Sequence, residues 1–198
     1  MSSLGLIYIF TGNGKGKTSA ALGILTRALA HGWRVGWISW YKEASWGISE
    51  HKLDTIFTAE TLKRLTFLPM GKGFYLKNPE HVEKSGIKIA HAKHSIVVDD
   101  HQPAEHRKAA QQALEKATEL IGKVDVLILD EVCNAVSDGL VKETDVLNLF
   151  EKRGTTHLVL TGRNASPQLQ KGADLVSTIE KTKHPFDVGK LAVKGLDF

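Results

Sequence analysis

The chain has 198 residues, of which 42% are hydrophobic and 24% are charged, and its formal net charge is +4 at pH 7. These values are typical of a soluble globular protein and leave room for one α/β domain with a sizeable core over residues 1–198. Lysine and arginine are scattered among acidic residues instead of forming a basic stripe, so we expect no nucleic-acid partner, and a small anionic ligand explains the excess charge as well.

Cysteine usage and the first apolar segment indicate the compartment. The chain has a single cysteine, Cys133, so it cannot form an internal disulfide, which fits a reducing cytoplasm. The N-terminal apolar run is far shorter than the roughly 20 residues that a membrane span requires, and no basic segment precedes it. We therefore expect a cytoplasmic protein without a membrane partner.

The first elements form a strand, a glycine loop, a helix and a second strand. Leu4–Phe10 is apolar and rich in residues that favour strands, and a glycine cluster ends it. From Lys17 the apolar residues recur at helical spacing until Gly32. Arg34–Trp40 then reads as a strand that is apolar on both faces, as in a parallel sheet covered by helices. The order β-α-β follows.

The middle of the chain is less regular. Ser49–Leu65 is predicted to be helical, and Leu65–Met70 a short strand. Loop signals follow, and Ile87–Ala90 with Ser95–Val98 are typical of a hairpin, so we expect an inserted loop or hairpin at about 77–100. A proline in the first turn, Pro103, begins another helix.

The second half alternates strands with helices. An aliphatic run, Val124–Leu129, is closed by the acids Asp130 and Glu131, which predicts a central strand carrying carboxylates at its C-terminal end. The later predicted elements are a helix at Lys142–Lys152, a strand at His157–Thr161, a helix ending near Gly172, and strands at Leu175–Glu180 and Lys190–Val193. This alternation favours a mostly parallel central sheet flanked by helices, of the nucleotide-binding P-loop type.

The stretch TGNGKGKT at residues 11–18 carries the clearest chemistry. Backbone amides of a glycine turn that opens into a helix form a concave anion site. Lys17 is expected to neutralise phosphate oxygens and the Thr18 hydroxyl to bind Mg²⁺, with the acidic strand end holding the metal as well. The alternative is a glycine turn that happens to lie beside an acidic strand end.

Thr11 stands where this motif usually has its first glycine, and Gly12-Asn-Gly-Lys-Gly-Lys17 contains three glycines and two lysines. Such a loop can wrap closely around a polyphosphate. If the whole triphosphate departs in the reaction, the negative charge that develops on it would lie in this loop. The loop suits that reaction at least as well as it suits transfer of the terminal phosphoryl group.

Five segments in this order, TGNGKGKTSAALG, VLILDE, HLVLTGR, ADLVSTIEKTKHPFDVG and KGLDF, resemble the P-loop class of ATP:corrinoid adenosyltransferases. The resemblance runs from about Leu6 to the last residue. It implies a homodimer that transfers the 5′-deoxyadenosyl group of Mg-ATP to the cobalt of a reduced corrinoid, cob(I)alamin or a precursor, and releases triphosphate. It also implies an electron-donor protein that reduces the corrinoid.

The resemblance also assigns roles to residues. Thr18 and Glu131 would bind Mg²⁺ with Asp130 as a neighbouring acid, and Lys17, Glu131 and Phe74 would be catalytic. The implied nucleotide-binding residues are Gly12, Asn13, Gly14, Lys15, Gly16, Lys17, Thr18, Ser19, Arg27, Arg163 and His184. An arginine that caps or pairs on the surface explains Arg27 and Arg163 equally well, and a histidine in a turn explains His184 equally well.

One departure from the family pattern concerns corrinoid handling. The family tends to have Gly-Phe-x-Trp where this chain has Gly73-Phe-Tyr-Leu76, so Phe74 is kept and Leu76 replaces the tryptophan. Two other functions therefore stay open: an ATP- or corrinoid-binding module without turnover, and a P-loop phosphotransferase or ATPase.

Two further groups of residues have alternative interpretations. The histidine and aspartate cluster at His91, His94, Asp99, Asp100, His101 and His106 could bind a transition metal, but its spacing matches no metal motif, and a charged surface loop is the commoner explanation. Trp37 and Trp40 are expected to pack against the sheet, whereas Trp46 follows a strand end and could contact a large planar ligand.

Overall fold

A computed structural model describes residues 4–73 and 103–197 and shows one parallel sheet of six strands. Their order across the sheet is β3-β2-β4-β5-β1-β6, and every neighbouring pair is parallel. The strands are β1 Ile7–Thr11, β2 Val35–Ser39, β3 Leu65–Pro69, β4 Val126–Asp130, β5 His157–Thr161 and β6 Leu175–Thr178.

Helices connect these strands. They are α1 Lys17–Ala30, α2 Ala59–Leu62, α3 Pro103–Leu120, α4 Val132–Ser137, α5 Glu143–Lys152 and α6 Pro167–Gly172, together with 3₁₀ turns at Ser49–Thr55 and Pro185–Val188. None of the helices within the described ranges is long and apolar enough to cross a membrane.

The core has two layers because the central strands bury both faces. All five residues of β4 are buried, and they alternate between the layers. Leu127 and Leu129 pack in one layer with apolar residues of α3, α5 and α6, whereas Val126 and Ile128 pack in the other with α1. These layers hold the C-terminal ends of the strands at fixed spacing.

The predicted sheet flanked by helices is confirmed, with local differences. The helical stretch predicted at Ser49–Leu65 is interrupted, because Lys52 has a non-helical backbone conformation and Thr58 caps a new helix by accepting a hydrogen bond from the Thr61 amide. The short helix α4 follows β4 after one residue and was not predicted. The hairpin predicted at 87–98 lies outside the described residues.

The strand predicted at Lys190–Val193 is wrong. This segment is exposed and lies outside the sheet, and the Val193 amide donates a hydrogen bond to the Asp197 carboxylate at 2.7 Å. The turn replaces a strand because local hydrogen bonds satisfy the backbone there without a neighbouring strand.

Candidate nucleotide-binding site

The loops that follow β1, β2, β4 and β5 meet at the C-terminal edge of the sheet around a cleft of about 630 Å³. Open α/β sheets place ligands at this edge. Strand β5 lies between β1, which leads into the glycine loop, and β4, which ends in the acids. Its last residue, Thr161, therefore stands between the two halves of the site.

The glycines of the loop are required by its close packing on the chain after β6. Gly12 and Gly16 have positive φ angles of 101° and 118°, which side chains disfavour. A Cβ added to Gly12 or Gly14 would lie 2.4 or 2.8 Å from the carbonyl oxygen of Ile179. The Gly14 amide donates a hydrogen bond to that same oxygen at 2.7 Å. The glycines thus let the loop lie against the Ile179 backbone.

Lys17 curls back over the loop. Its Nζ donates hydrogen bonds to the carbonyl oxygens of Gly12 at 2.8 Å and Gly14 at 2.6 Å. Burial, and then the positive charge of Arg163, lower the pKa of Lys17, and the neighbouring acid Glu131 only partly opposes this shift. The ammonium group is thus short of negative charge, which favours the arrival of an anion.

Asp130, the last residue of β4, has 0% of its surface exposed and contacts residues that line the cleft. Its Oδ1 accepts hydrogen bonds from the hydroxyls of Thr161 at 2.8 Å and Thr18 at 3.1 Å, and its Oδ2 lies 2.9 Å from Lys42 Nζ. Although burial opposes it, Asp130 and Glu50 hold the pKa of Lys42 above its usual value. Asp130 and Lys42 therefore form a buried ion pair beside Thr18.

Glu131 lines the cleft from an uncommon backbone conformation. Its φ of 64° is left-handed, and its amide donates a hydrogen bond to Thr161 Oγ1 at 2.8 Å. Such a conformation is costly for a residue with a side chain, and the surrounding contacts hold it. Burial, and next the charge of Asp130, raise the pKa of Glu131 to about 7. A cation in the cleft would therefore be favourable to its carboxylate.

The structure brings most of the other predicted residues to the same cleft. Those that line it are Asn13, Gly14, Lys15, Gly16, Lys17, Thr18, Ser19, Glu131, Arg163 and His184. Lys15 forms an ion pair with Asp197 near the chain end, and the Arg163 amide donates to Asn134 Oδ1 at 2.6 Å.

Among the described residues, Gly12 and Asp130 bond to residues that line the cleft, whereas Arg27 lies away from it. Arg27 is exposed in the last turn of α1 and does not line the cleft. It lies ten residues beyond Lys17, which is about 15 Å along the helix axis. Phe74 lies outside the described residues.

The sequence did not single out Lys42, Glu50 and Thr161. Lys42 and Glu50 line the cleft, and the Thr161 hydroxyl donates a hydrogen bond to Asp130 and accepts one from the Glu131 amide. A usable signal existed for Thr161, because a polar residue ends an otherwise apolar strand. Trp46 also lines the cleft, while Trp37 and Trp40 are buried in the core as expected.

Neither Cys133 nor His106 lines the cleft. Cys133 is fully buried, and burial raises the pKa of its thiol to about 12, as expected for a small core residue. Of the predicted histidine and aspartate cluster, His106 is a buried residue of α3, and the other members lie outside the described ranges. In the part of the chain that the structure describes, no group of three or more His, Cys, Asp or Glu side chains could hold a metal.

The sheet is parallel, a phosphate loop joins β1 to α1, and acids stand at the end of β4, which one strand separates from β1. These features define a nucleotide-binding P-loop protein of the α/β class. A sequence model of one family, described as ATP:corrinoid adenosyltransferase BtuR/CobO/CobP, matches residues 3–198. The chain belongs to this family, which confirms the resemblance found in its motifs.

Individual relatives agree with the family assignment. The chain is 31% identical to a corrinoid adenosyltransferase of Sinorhizobium sp., over 98% of this chain and 80% of the relative. It is 30% identical to one from Pseudomonas aeruginosa, over 98% of this chain and 84% of the relative. It is 28% identical to one from Escherichia coli K12, over 98% and 86% respectively. The similarity thus spans nearly the whole chain.

Proposed function

We propose that this chain transfers the 5′-deoxyadenosyl group of ATP to the cobalt of a reduced corrinoid, cob(I)alamin or a precursor, and releases triphosphate. The observation that carries the proposal is the family match over residues 3–198, which includes the glycine loop and the acids of β4. In this reaction the electron pair of Co(I) forms a bond to C5′ of the ribose. The C5′–O bond breaks, its electron pair leaves with the triphosphate, and the cobalt becomes formally Co(III).

The glycine loop is proposed to hold the triphosphate. Its amides, with Lys15 and Lys17, place positive charge where the leaving group gains negative charge. The Lys17 ammonium group donates hydrogen bonds to two carbonyl oxygens of the loop. It can donate to phosphate oxygens instead without a change in the loop. The nucleophile is the cobalt itself, so the protein need not supply a general base. Positioning and charge stabilisation are then the sources of rate.

The walls of the cleft also fit Mg²⁺, which prefers oxygen ligands. The Thr18 hydroxyl donates a hydrogen bond to Asp130, so the lone pairs of the Thr18 oxygen stay available for a metal. Glu131 offers a carboxylate, and its raised pKa indicates that positive charge is lacking around it. We infer that Thr18 and Glu131 hold the metal while Asp130 orients Thr18. Bound there, Mg²⁺ would neutralise part of the phosphate charge.

The second substrate is proposed to approach over Trp46 and Ile48, which line the cleft from the segment that follows β2. Aromatic and aliphatic groups suit a large planar ring system such as a corrinoid. Phe74 is proposed to contribute to the same substrate, and its role stays a prediction. A homodimer, an electron-donor protein and a cytoplasmic location are likewise inferred from the family and from the single cysteine.

The test is incubation of the protein with Mg-ATP and chemically reduced cob(I)alamin under anaerobic conditions. We expect the absorption spectrum of the adenosylated corrinoid and an equal amount of triphosphate. Release of ADP and phosphate would instead identify a phosphotransferase or ATPase. ATP binding without either product would identify a binding module and contradict the proposal.

A further inference from the structure

Lys42 lies where two parts of the cleft wall meet. Its Nζ is 2.9 Å from Asp130 Oδ2 and 3.1 Å from Glu50 Oε1. The side chains of Lys42, Glu50 and Asp130 are 14%, 12% and 0% exposed. We call these three residues the Lys42 triad. Lys42 and Glu50 both line the cleft, so the triad is part of the site and not of the distant core.

Lys42 completes the set of contacts that fixes Asp130. One carboxylate oxygen accepts hydrogen bonds from Thr18 and Thr161, and the other faces the Lys42 ammonium. A buried carboxylate requires a counter-charge, and the terminal torsion of an aspartate has a broad range when nothing restrains it. With both oxygens held, the direction in which Thr18 donates its hydroxyl proton is fixed, and so is the side of its oxygen that faces the cleft.

The same ammonium group holds the loop between β2 and the 3₁₀ turn Ser49–Thr55. Glu50 belongs to that turn, and Trp46 of the intervening loop lines the cleft. The backbone of Lys42 is itself fixed, because its carbonyl oxygen accepts a hydrogen bond from the Gly71 amide at 3.0 Å. One residue therefore connects the acid that orients Thr18 to the segment that carries Trp46.

We propose that Lys42 is a positioning residue for adenosyl transfer: it holds Asp130 so that the Thr18 oxygen faces Mg²⁺ of the bound nucleotide, and it holds the 42–50 loop through Glu50. This inference rests on the function proposed above, in which Thr18 and Glu131 bind Mg²⁺. It concerns the coupling between metal and nucleotide, and it is therefore measurable without corrinoid and without turnover.

The experiment compares ATP dissociation constants, by titration calorimetry without corrinoid, in the presence of Mg²⁺ and in its absence. The ratio of the two constants measures how strongly Mg²⁺ supports ATP binding. In Lys42→Met this ratio is expected to fall by about tenfold or more, as when a group that orients a metal ligand is lost. Lys42→Arg keeps the charge and is expected to retain most of the ratio.

Lys72→Met is the matched control, because it removes a lysine from an exposed pair with Glu43 at 4.0 Å outside the cleft. Its ratio is expected to equal that of the wild type. A purely structural role of Lys42 would weaken ATP binding equally with and without Mg²⁺ and lower the melting temperature, and the ratio would stay unchanged.

The outcomes separate this inference from the proposed function. If Mg²⁺ does not strengthen ATP binding by the wild type, the proposed metal site fails, and the role of Lys42 fails with it. If the wild type responds and folded Lys42→Met responds within about twofold of it, Lys42 has no positioning role although the function stands. If Lys42→Met does not fold, Lys42→Gln, which keeps a donor to Asp130, is judged by the same ratio.

Discussion

An aspartate precedes strand β4 and another ends it, and each meets a cation from a segment that flanks the neighbouring strand β2. Asp125 precedes β4 and pairs with Arg34, while Asp130 ends β4 and pairs with Lys42. The parallel register of the two strands, which matches Val35 with Val126 through Ser39 with Asp130, brings both pairs together. The side chains of the first pair are 56% and 37% exposed, whereas those of the second are 14% and 0% exposed.

Burial gives the two pairs different tasks. The exposed pair gains little from its charges, because water screens them. The main role of Asp125 is to accept a hydrogen bond from the Arg34 backbone amide at 2.7 Å, which fixes the start of the strand. The buried pair is shielded from water, and the second oxygen of its carboxylate accepts hydrogen bonds from Thr18 and Thr161. An ion pair with an aspartate therefore fixes the start of a strand at one edge and organises a binding site at the other.

The largest expected difference between the edges is in stability. Asp130→Asn leaves the Lys42 ammonium without its closest counter-charge in a buried place, and it is expected to lower the free energy of unfolding by about 3 kcal/mol. Asp125→Asn is expected to lower it by at most about 1 kcal/mol. Denaturant unfolding of both variants at pH 7 measures the two values. Equal losses would show that burial does not distinguish the pairs.

The next effect concerns nucleotide binding. Lys17→Ala removes a charged donor from the loop and is expected to weaken ATP binding by about 100-fold, since hydrogen bonds to charged groups are among the strongest. Lys123→Ala removes an exposed lysine near Asp125 at the other edge and is expected to leave the affinity unchanged. Titration calorimetry with Mg-ATP measures both. Unchanged affinity in Lys17→Ala would contradict the use of the loop for triphosphate.

The pH dependence of stability should have opposite signs at the two edges. The pKa of Glu131 is raised from 4.5 to about 7, so the folded protein keeps a proton that the unfolded chain releases, and stability falls as the pH rises across that interval. Although burial opposes it, hydrogen bonds from Arg34 hold the pKa of Asp125 below 3.8. The stability that Asp125 contributes is present above that pH and is lost as the pH falls further.

Glu131→Gln should therefore stabilise the nucleotide-free protein by on the order of 2 kcal/mol at pH 8 and have little effect at pH 4. Asp125→Asn should cost more stability at pH 8 than at acidic pH, because the contribution of the ionised carboxylate is lost as the pH falls below 3.8. Thermal unfolding across the pH range tests both signs. A pH-independent effect of Glu131→Gln would mean that its carboxyl is not held at a raised pKa.

The smallest effect is expected at the loop itself. Asp197 pairs with Lys15, and both line the cleft, so the carboxylate competes with phosphate oxygens for the same ammonium group. Asp197→Asn is expected to strengthen ATP binding by about two- to fivefold, because the pair is partly exposed and water screens its charges. Asp187→Asn, which frees Lys181 from a similar pair at 2.8 Å, serves as a comparison. Weaker ATP binding in Asp197→Asn would indicate that the pair supports the loop instead of competing.

Sequence patterns predicted the elements that have strong periodicity and clear ends. The strand His157–Thr161 and the start of α1 at Lys17 were predicted to the residue. The helix α4 was missed because it follows β4 after a single left-handed residue, Glu131, and no glycine or proline marks the change. Lys190–Val193 contains three successive apolar residues but has no neighbouring strand to pair with, which a local pattern cannot show.

The site was predicted in part for a similar reason. Gly12–Ser19 is contiguous, and its glycines and lysine identify phosphate chemistry directly. Lys42 and Glu50 are ordinary charged residues in a loop, and nothing in their spacing indicates that they meet Asp130. Their role depends on the register between β2 and β4 and on the 3₁₀ turn, both of which are products of packing.

The sequence by itself determined the family, the phosphate loop and the alternation of strands and helices, because these depend on residues that are close together in the chain. Only the tertiary structure decided which of the two aspartates flanking β4 is buried, which lysine neutralises it and which threonine joins the two halves of the site. Burial and ion pairing depend on distances between segments far apart in sequence, and the order of strands in the sheet sets those distances.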